Sequence, residues 1–292
     1  MELRNLKTFI QVCENHSFSK AATNLGYTQS TVTAQISQLE TEFGVPLFDR
    51  RGKTFQVNEK GQELLEYAHR ITALADEAAF QLADEQTPHG TLRLGVIESI
   101  GSYFLPPILE TYLTQYPEMK VEVLTSKTLT IMDALRRGEV DLILTLDDQI
   151  YDPDWILCYK KPEPILFLCS PDHPFAGKRR VPFAQVIQER FILTEKFCNY
   201  RLSFEKFCAR QHVSPISSLE IGYTATILDF VEKDLGLTFL PEVTTREAVR
   251  SGRLATFTVK ELEIGMFIQL FYKRSRWNTP GMRAFEDLVG RF

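Results

Sequence analysis

Apolar residues near the start of the chain follow two short helical patterns separated by a tight turn, over residues 18–40. Ser19 is the expected cap of the first helix. Gly26 is expected to end it, because glycine readily adopts the left-handed conformation of a C-terminal cap. Thr28 begins the second helix, whose apolar residues recur at helical spacing. These apolar residues are Val32, Ile36 and Leu39. The pattern predicts a helix-turn-helix.

The opposite face of the second helix is polar and carries no charge. Short hydroxyl and amide side chains suit the reading of base edges in a DNA major groove. A solvated helical hairpin would also have a polar outer face, because surface helices generally do. The residues predicted to contact bases are Gln29, Ser30, Thr31 and Thr33, with Gln35 at the edge of the contact.

Cations follow the second helix beside a glycine turn. Arg50, Arg51 and Lys53 surround Gly52 there. Basic side chains grip phosphates and fix the position of a protein on the duplex. We therefore predict a wing in which these three residues hold phosphates or reach a minor groove, which favours a winged helix-turn-helix over a plain helical hairpin.

The N-terminal block resembles that of the LysR-type transcriptional regulators, and the resemblance covers the whole chain. The residues that carry it are Leu6, Phe9, Ser17, Phe18, Ser19, Ala21, Ala22, Leu25, Thr28, Gln29, Ser30, Val32, Thr33, Gln35, Ile36, Leu39, Glu40, Gly44, Leu47, Phe48, Arg50 and Gly61. The chain departs from the family at Ala34, where many relatives carry an arginine beside the groove. The resemblance implies a DNA-binding regulator that forms a tetramer, with an effector domain similar to type 2 periplasmic binding proteins.

Charge is unevenly divided along the chain, whose net charge is −5. Residues 1–58 hold six Lys or Arg and five Asp or Glu, so they carry +1 and the remaining 234 residues carry −6. Phosphate contacts supply much of the affinity of DNA-binding proteins, so a single N-terminal domain should bind DNA weakly. We therefore expect several copies of the chain on one DNA molecule.

A long helical pattern follows over residues 59–87, with Asn58 as its expected cap. Apolar residues recur along it at spacings of 4-3-4-3-4, which is the period of a coiled coil. They are Leu64, Ala68, Ile71, Ala75, Ala78 and Leu82. This seam predicts a dimerisation helix, and the resemblance implies a linker helix that pairs two subunits. The alternative is an amphipathic helix that lies on its own domain.

Strand and helix patterns alternate after residue 90, which indicates a parallel, doubly wound α/β sheet. Strands are expected at residues 91–97, 120–125, 140–146, 164–169, 191–194, 217–221, 237–240, 254–259 and 265–272, and helices at 103–115, 129–137, 200–211, 225–233 and from 280. The predicted fold class is α/β, with a mostly α N-terminal domain. The predicted domains are a winged helix-turn-helix at 1–58, a linker helix at 59–87 and a two-lobed effector domain at 91–292, with lobe I at about 91–161 and 268–292 and lobe II at about 162–267.

Ligands of open parallel sheets bind beyond the carboxyl ends of the strands, near helix N-termini. This rule selects residues 98–102, 126–128, 195–200 and 222–226. Free N–H groups and hydroxyls there suit a small anion such as a carboxylate, although ordinary helix capping uses the same groups. The resemblance implies effector contacts from the same positions: Ser99, Ile100, Gly101, Thr128, Phe197, Cys198, Asn199, Thr226 and Phe267.

A thiol redox sensor is the main alternative mechanism. Cys198 is expected at a helix N-terminus, which lowers thiol pKa values, and peroxide-sensing members of the family carry two cysteines in a similar region. Cys208 would be about 12 Å or more from Cys198 along an intact helix, whereas a disulfide needs Cα atoms within about 7 Å. Buried, unreactive cysteines are the simpler interpretation.

The sequence contains no G-x-S-x-G, H-E-x-x-H, P-loop or G-x-G-x-x-G motif, and its five cysteines form no C-x-x-C pair. We therefore expect no enzyme activity, metal or cofactor. No apolar run approaches the length of a membrane helix and no signal peptide is apparent, so the expected location is the cytoplasm. A small-molecule binding protein that does not contact DNA is a further alternative.

The sequence thus predicts a homo-oligomeric transcription regulator controlled by a small molecule bound between two lobes. Its expected partners are double-stranded DNA, a small-molecule effector, further copies of the chain as a dimer or tetramer, and RNA polymerase. No membrane partner is expected.

Overall fold

A computed structural model describes residues 1–49, 56–82 and 88–292 of the chain. The chain divides into two compact units. The first comprises Met1–Thr87, Arg136–Glu139 and Ser275–Thr279, and the second comprises Pro88–Leu135, Val140–Arg274 and Pro280–Phe292. Within the described ranges, no helix has the length and apolar character that crossing a bilayer requires.

The first unit contains four helices and a short hairpin among its described residues. They are α1 (Leu3–Asn15), α2 (Phe18–Leu25), α3 (Gln29–Phe43), β1 (Phe48–Asp49), β2 (Gln56–Val57) and α4 (Glu59–Leu82). Gly26 ends α2 at φ 67°, and Thr28 caps α3 by accepting the N–H of Thr31, both as predicted. The predicted cap of α2 was wrong. Ser17 accepts the N–H of Lys20, because the helix begins at Phe18 and its cap is the residue before it.

The core of the first unit forms where α1, α2 and the hairpin meet. The ring centroid of Phe48 lies 5.5 Å from that of Phe9 and 5.8 Å from that of Phe18. The first turn of α4 lies directly against this hairpin. A Cβ atom at Gly61 would lie 2.2 Å from the carbonyl oxygen of Leu47, so only glycine fits there.

The first half of the predicted heptad seam of α4 packs against the core of the same unit. Ala68 is fully buried in the core of the unit, and Leu64 and Ile71 pack against that core. The prediction that Ala68 faces a partner is therefore wrong, because this residue is buried in its own unit, whereas Leu64 and Ile71 are half-buried. Dimerisation through α4 stays a prediction. Among the side chains of α4 that the structure describes, two large apolar ones remain exposed, Tyr67 and Leu74, and they are one heptad apart.

The second unit alternates strands and helices. They are β3 (Gly90–Val96), α5 (Glu98–Tyr103), α6 (Leu105–Gln115), β4 (Met119–Thr125), α7 (Thr128–Arg137), β5 (Leu142–Asp147), β6 (Trp155–Cys169), α8 (Phe183–Val186), β7 (Arg190–Leu193), α9 (Asn199–Arg210), β8 (Ile216–Glu220), α10 (Thr224–Glu232), β9 (Thr238–Pro241), α11 (Glu242–Arg250), β10 (Ala255–Phe257), β11 (Ile264–Lys273) and α12 (Pro280–Val289). The predicted helix at 103–115 corresponds to α6, which begins at Leu105 just before a pair of prolines. The short helix α5 precedes it over residues that, apart from Tyr103, were not predicted to be helical, and the two helices meet at Phe104.

A seven-stranded mixed sheet organises this unit, in the order β10-β6-β11-β5-β3-β4, with β9 also paired to β6. Strands β3, β4 and β5 are parallel, as predicted, and β7 and β8 form a separate parallel pair. We call the part with β3–β5 and α5–α7 lobe I and the part with β7–β9 and α8–α11 lobe II. Strands β6 and β11 are antiparallel along their lengths, from Ile264 opposite Ile165 to Lys273 opposite Trp155, and run through both lobes.

Strand β6 begins nine residues earlier than the predicted strand at 164–169, at Trp155. The predicted strand begins at Pro164 and omits the segment before it, where Pro162 disfavours a central strand because proline lacks the N–H that such a strand needs. Over residues 155–164, β6 pairs with β11 alone among the described strands, so the prolines lie on an edge. Proline is tolerated on an edge because no second neighbour needs its N–H.

Candidate functional site

The polar face of α3 is exposed opposite its buried residues. Gln29, Ser30, Thr31 and Thr33 are exposed, whereas Val32, Ile36 and Leu39 are fully buried. The helix therefore has the two-sided character that the sequence predicts. Placing hydroxyls and amides on one uncharged, accessible face makes contact with base edges chemically feasible.

Hydrogen bonds hold several side chains of this face in place. The hydroxyl of Thr28 lies 2.8 Å from those of Ser30 and Thr31, and the hydroxyl of Thr33 donates to the carbonyl oxygen of Gln29 at 2.9 Å. The amide of Gln29 accepts a hydrogen bond from Ser19 on α2, with 2.9 Å between Oγ and Oε1. The face is thus partly ordered before any ligand binds.

Gln35 differs from the other predicted base-contacting residues. It is half-buried, and its Oε1 accepts a hydrogen bond of 2.7 Å from the buried hydroxyl of Thr8 on α1. Its oxygen therefore ties α3 to α1, and only its amide nitrogen remains for the outer face. At the edge of the predicted contact with DNA, Gln35 would therefore act as a hydrogen-bond donor through its amide nitrogen.

The base of the predicted wing is present as a hairpin. Strands β1 and β2 are antiparallel, with Phe48 opposite Val57 and Asp49 opposite Gln56. The predicted phosphate-binding residues Arg50, Arg51 and Lys53 lie outside the described residues.

Polar and cation–π contacts join the two lobes at the predicted cleft. The hydroxyl of Thr224 at the start of α10 donates to Glu98 Oε2 at 2.6 Å, and the Thr224 N–H donates to Glu98 Oε1 at 3.4 Å. Asn199 at the start of α9 donates from Nδ2 to the Thr128 hydroxyl at 3.0 Å and to a carbonyl oxygen of β5 at 2.8 Å. At the rim, Lys127 Nζ lies 4.8 Å from the ring centroid of Phe197.

The structure brings several of the predicted effector-contacting residues together here. Thr128 and Asn199 are hydrogen-bonded to each other, and Phe197 is 65% exposed at the rim. Ser99 is buried in α5, and Thr226 is half-buried in the first turn of α10.

Three other residues that were predicted to contact the effector have neighbours that restrict this role. Ile100 is fully buried in the main core, so its side chain packs there and cannot line the cleft as expected. At Gly101 a Cβ atom would lie 2.9 Å from Val96 Cγ2, so this glycine serves the packing of α5 on β3. Phe267 is half-buried on β11, with Lys160 Nζ 4.2 Å from its ring centroid.

Sequence reasoning missed the pairing of Glu98 with Thr224. These residues are 126 positions apart, and only the fold brings them together. One local signal was available. The residue before α10 is Tyr223, whose side chain makes no capping hydrogen bond, so the helix needs an acceptor from elsewhere.

The two cysteines of the redox alternative are in unfavourable positions for a sensor. Burial raises the pKa of Cys198 to about 11 and that of Cys208 to about 11, so both thiols are protonated near neutral pH. Cys198 is the residue before α9 and Cys208 lies within that continuous helix, which separates them by about 15 Å at the helical rise. Oxidation to a disulfide would require α9 to unwind, because a disulfide spans less than about 7 Å.

A cavity of about 340 Å³ lies in lobe II beside α9, away from the contacts that join the lobes. Its wall includes the buried guanidinium of Arg201, which donates to Glu205 at 2.7 Å, to Glu220 at 3.1 and 3.2 Å, and to the carbonyl oxygen of Thr194. The charge of Arg201 is thus already paired with acidic groups. The cleft is therefore the stronger candidate for an effector site. No metal-binding cluster of His, Cys, Asp or Glu occurs in the part of the chain that the structure describes.

A helix-turn-helix with a hairpin, followed by a two-lobed α/β domain whose lobes are joined by polar contacts, is the arrangement of ligand-responsive DNA-binding regulators. Comparison with known proteins agrees. Residues 3–62 match the model of the bacterial regulatory helix-turn-helix protein, lysR family, and residues 85–292 match that of the LysR substrate binding domain. The chain belongs to the LysR family of transcriptional regulators.

Three relatives illustrate this membership. The uncharacterised HTH-type transcriptional regulator YwqM of Bacillus subtilis (strain 168) is 32% identical, over 99% of this chain and 98% of its own length. A full-length OxyR variant from Pseudomonas aeruginosa has a TM-score of 0.78 at 21% identity, covering 99% of this chain and 94% of that one. Full-length CbnR in complex with its target DNA has a TM-score of 0.63 at 19% identity, covering 100% and 99%. The chain is thus a DNA-binding transcription regulator with an effector-binding domain, and its relatives are named as regulators.

Proposed function

We propose that this regulator is a homo-oligomer that reads DNA with α3 and responds to a small anionic effector held between lobes I and II. The observation that carries the effector site is the set of polar contacts between the lobes at the starts of α9 and α10. Helix N-termini attract anions, and a ligand at this place would contact both lobes at once. A change in lobe closure would then alter the spacing or bend of the DNA-binding units within an oligomer.

The proposed effector contacts are Ser99, Thr128, Phe197, Cys198, Asn199, Thr226 and Phe267, with backbone contacts at Ile100 and Gly101. Thermal unfolding of the full chain with a set of small carboxylates and their uncharged amides tests this assignment. We expect at least one carboxylate to raise the Tm of the wild type and of Thr114→Ala, an exposed control on α6, while Ser99→Ala loses the shift. Equal shifts in all three proteins, or no shift with any carboxylate, would contradict an anion site in the cleft.

We propose base contacts from the exposed residues of α3 and phosphate contacts from the wing. The CbnR complex with its target DNA supports this use of the shared fold. The residues are Gln29, Ser30, Thr31, Thr33 and, through its amide nitrogen, Gln35, with Arg50, Arg51 and Lys53 on phosphates. Ser30→Ala should change the sequences that the full chain selects from a random duplex pool, and binding should weaken steeply with salt. Thr41→Ala, an exposed control farther along α3, should select the same sequences as the wild type.

We propose two self-association surfaces, one on α4 and one formed together by the edge strands β4 and β8 of the second unit. Tyr67 and Leu74 form an exposed apolar stripe on α4, and among the described strands β4 pairs only with β3 and β8 only with β7. Val123, Leu124 and Ile216 are exposed on these two edge strands. Unpaired edges with apolar side chains readily add another chain. Two independent surfaces are what a tetramer requires, whereas one would give only a dimer.

Sedimentation of the full chain tests the α4 surface. The wild type should sediment as a dimer or tetramer, and Leu74→Glu should shift it to a smaller species because a charge would enter an apolar contact. Leu235→Glu, an exposed control in the second unit, should leave the distribution unchanged. An unchanged distribution for Leu74→Glu would exclude α4. We further propose a cytoplasmic location and RNA polymerase as a partner, on the strength of the family resemblance.

A further inference from the structure

Three glutamines of α3 turn their side-chain oxygens toward the preceding helices. Gln29 Oε1 accepts from the Ser19 hydroxyl of α2, and Gln35 Oε1 accepts from the Thr8 hydroxyl of α1. Gln38 Oε1 accepts from Asn5 Nδ2 of α1 at 3.1 Å. The acceptor end of each amide is therefore engaged inside the helical unit.

This orientation decides what chemistry Gln29 can offer to DNA. A carboxamide carries its oxygen and its –NH₂ group on opposite sides of the same carbon. With Oε1 directed at Ser19, the –NH₂ group of Gln29 points away from α2, and Gln29 is exposed. An unconstrained glutamine pairs with adenine, donating to N7 while accepting from the N6 amino group. When Ser19 holds Oε1 of Gln29, the oxygen is directed at α2, and the group that Gln29 presents on the outer face is the –NH₂ donor.

We propose that Ser19 is a positioning residue for DNA recognition, and that it directs Gln29 to guanine, whose major-groove edge presents the two acceptors N7 and O6. The inference rests on the proposed contact between α3 and bases. It adds the identity of the base and the residue that selects it.

The position of Ser19 separates this role from a structural one. Ser17, and not Ser19, caps α2, and the side chain of Ser19 is accessible. The hydrogen bond from Thr23 to this residue uses the Ser19 carbonyl oxygen, which a side-chain substitution leaves in place. Replacing Ser19 therefore removes neither the cap nor any core contact. Its removal should instead release the Gln29 amide to rotate.

The test is selection of preferred sequences from a randomised duplex pool by full-length wild type, Gln29→Ala, Ser19→Ala, Ser19→Thr and Thr23→Ala. We expect the wild type to prefer guanine at one position and Gln29→Ala to lose that preference. In Ser19→Ala the preference for guanine over adenine there should fall about fivefold, the size of one hydrogen bond. Ser19→Thr keeps a hydroxyl at this position and should keep the preference for guanine. Thr23→Ala removes a neighbouring hydroxyl of α2 and should select the same sequences as the wild type.

A second measurement uses the selected duplex with 7-deazaguanine at that position, which removes only the N7 acceptor. Wild type should bind it about fivefold more weakly than the guanine duplex, as expected for one hydrogen bond lost, and Gln29→Ala should bind the two duplexes equally. An unchanged selection profile for Ser19→Ala, or adenine at the Gln29-dependent position of the wild type, would overturn the inference while leaving α3 as the reading helix. A wild type that selects no sequence, or a Gln29→Ala profile identical to that of the wild type, would overturn the proposed base contact together with the inference.

Discussion

The helices of the first unit and those of the second unit begin in different ways. In the first unit, side chains immediately before three helices cap them: Ser17 for α2, Thr28 for α3 and Asn58 for α4, where Asn58 Oδ1 accepts the N–H of Gly61 at 2.9 Å. Helix α1 has no such cap, because the side chain of Glu2 makes no capping bond. In the second unit, α5, α9 and α10 follow Ile97, Cys198 and Tyr223, none of which makes a side-chain capping bond.

Distant glutamates take the place of local caps in the second unit. Glu98 accepts from Thr224 at the start of α10, Glu163 accepts the N–H of Val243 in α11 at 2.6 Å, and Glu261 accepts the N–H of Phe183 in α8 at 2.8 Å. Helices α2, α3 and α4 of the first unit are therefore capped by local residues, whereas α8, α10 and α11 of the second unit are capped through the tertiary fold. A cap that comes from another lobe can also be withdrawn when that lobe moves, which suits a domain that responds to a ligand.

The largest effect should come from the tightest contact in the locally encoded unit. Gly61→Ala places a Cβ atom on the Leu47 carbonyl, so α4 must move off the hairpin, at a cost of about 3 kcal/mol. Calorimetry of the full Gly61→Ala chain should show that the unfolding transition of the first unit moves to a lower temperature than in the wild type. Gly265→Ala is the control, since no atom lies within 4 Å of its Cβ position. Equal transitions in the two variants would show that α4 is not held by this contact.

The cap between lobes should have the next largest effect. Glu98→Ala leaves the buried Thr224 hydroxyl and N–H without their acceptor, at a cost of about 1–3 kcal/mol. Hydrogen exchange should quicken in the first turn of α10, and the Tm should fall. Glu110→Ala, an exposed change on α6, should alter neither. Unaltered exchange in α10 for Glu98→Ala would mean that the N-terminus of α10 does not depend on lobe I.

A smaller effect should distinguish the two serines of α2. Ser17→Ala removes the cap and should lower the stability of the first unit by about 1 kcal/mol. Ser19→Ala removes only an accessible hydrogen bond and should cost less. Calorimetric transitions of both variants test this order, and the reverse order would show that α2 is stabilised mainly through its contact with α3.

The smallest expected effect is a pH dependence from Glu163. Burial raises the pKa of this carboxyl above its ordinary value of 4.5, against the opposing effect of the Val243 N–H. The folded protein therefore holds this proton more tightly than the unfolded chain does. Its contribution to stability is largest below pH 4.5 and declines as the pH rises from 4.5 toward the raised pKa. Glu163→Gln should remove that decline, while the exposed control Glu110→Gln should keep it. If the stability of Glu163→Gln declined with pH in parallel with that of the wild type, Glu163 would not be the source of the decline.

The contrast between the units also explains which features the sequence predicts. Gly26 and Thr28 act on neighbouring residues, so their roles in the helix-turn-helix follow from local patterns. The parallel order of β3, β4 and β5 likewise follows from the alternation of strands and helices. Ser17 and Ser19 are both plausible caps in the sequence, and only the observed start of α2 separates them.

Features that depend on residues far apart in the sequence could not be predicted from local patterns. The early start of β6 was hidden because Pro162 and Pro164 argue against a central strand, and only the sheet topology makes that segment an edge. The heptad seam of α4 was correct as an apolar pattern, but periodicity does not say whether the covering surface belongs to the same chain. The Glu98–Thr224 contact required residues from two lobes.

Strands β6 and β11 carry one further consequence for how the lobes can move. Because this paired ribbon passes through both lobes, closure of the kind proposed above would have to twist two hydrogen-bonded strands together. The register shift between Leu270 and Phe271 is an irregularity where such torsion concentrates. Under that proposal, the hydrogen-bonded ladder between β6 and β11 would limit the angle through which one lobe turns on the other.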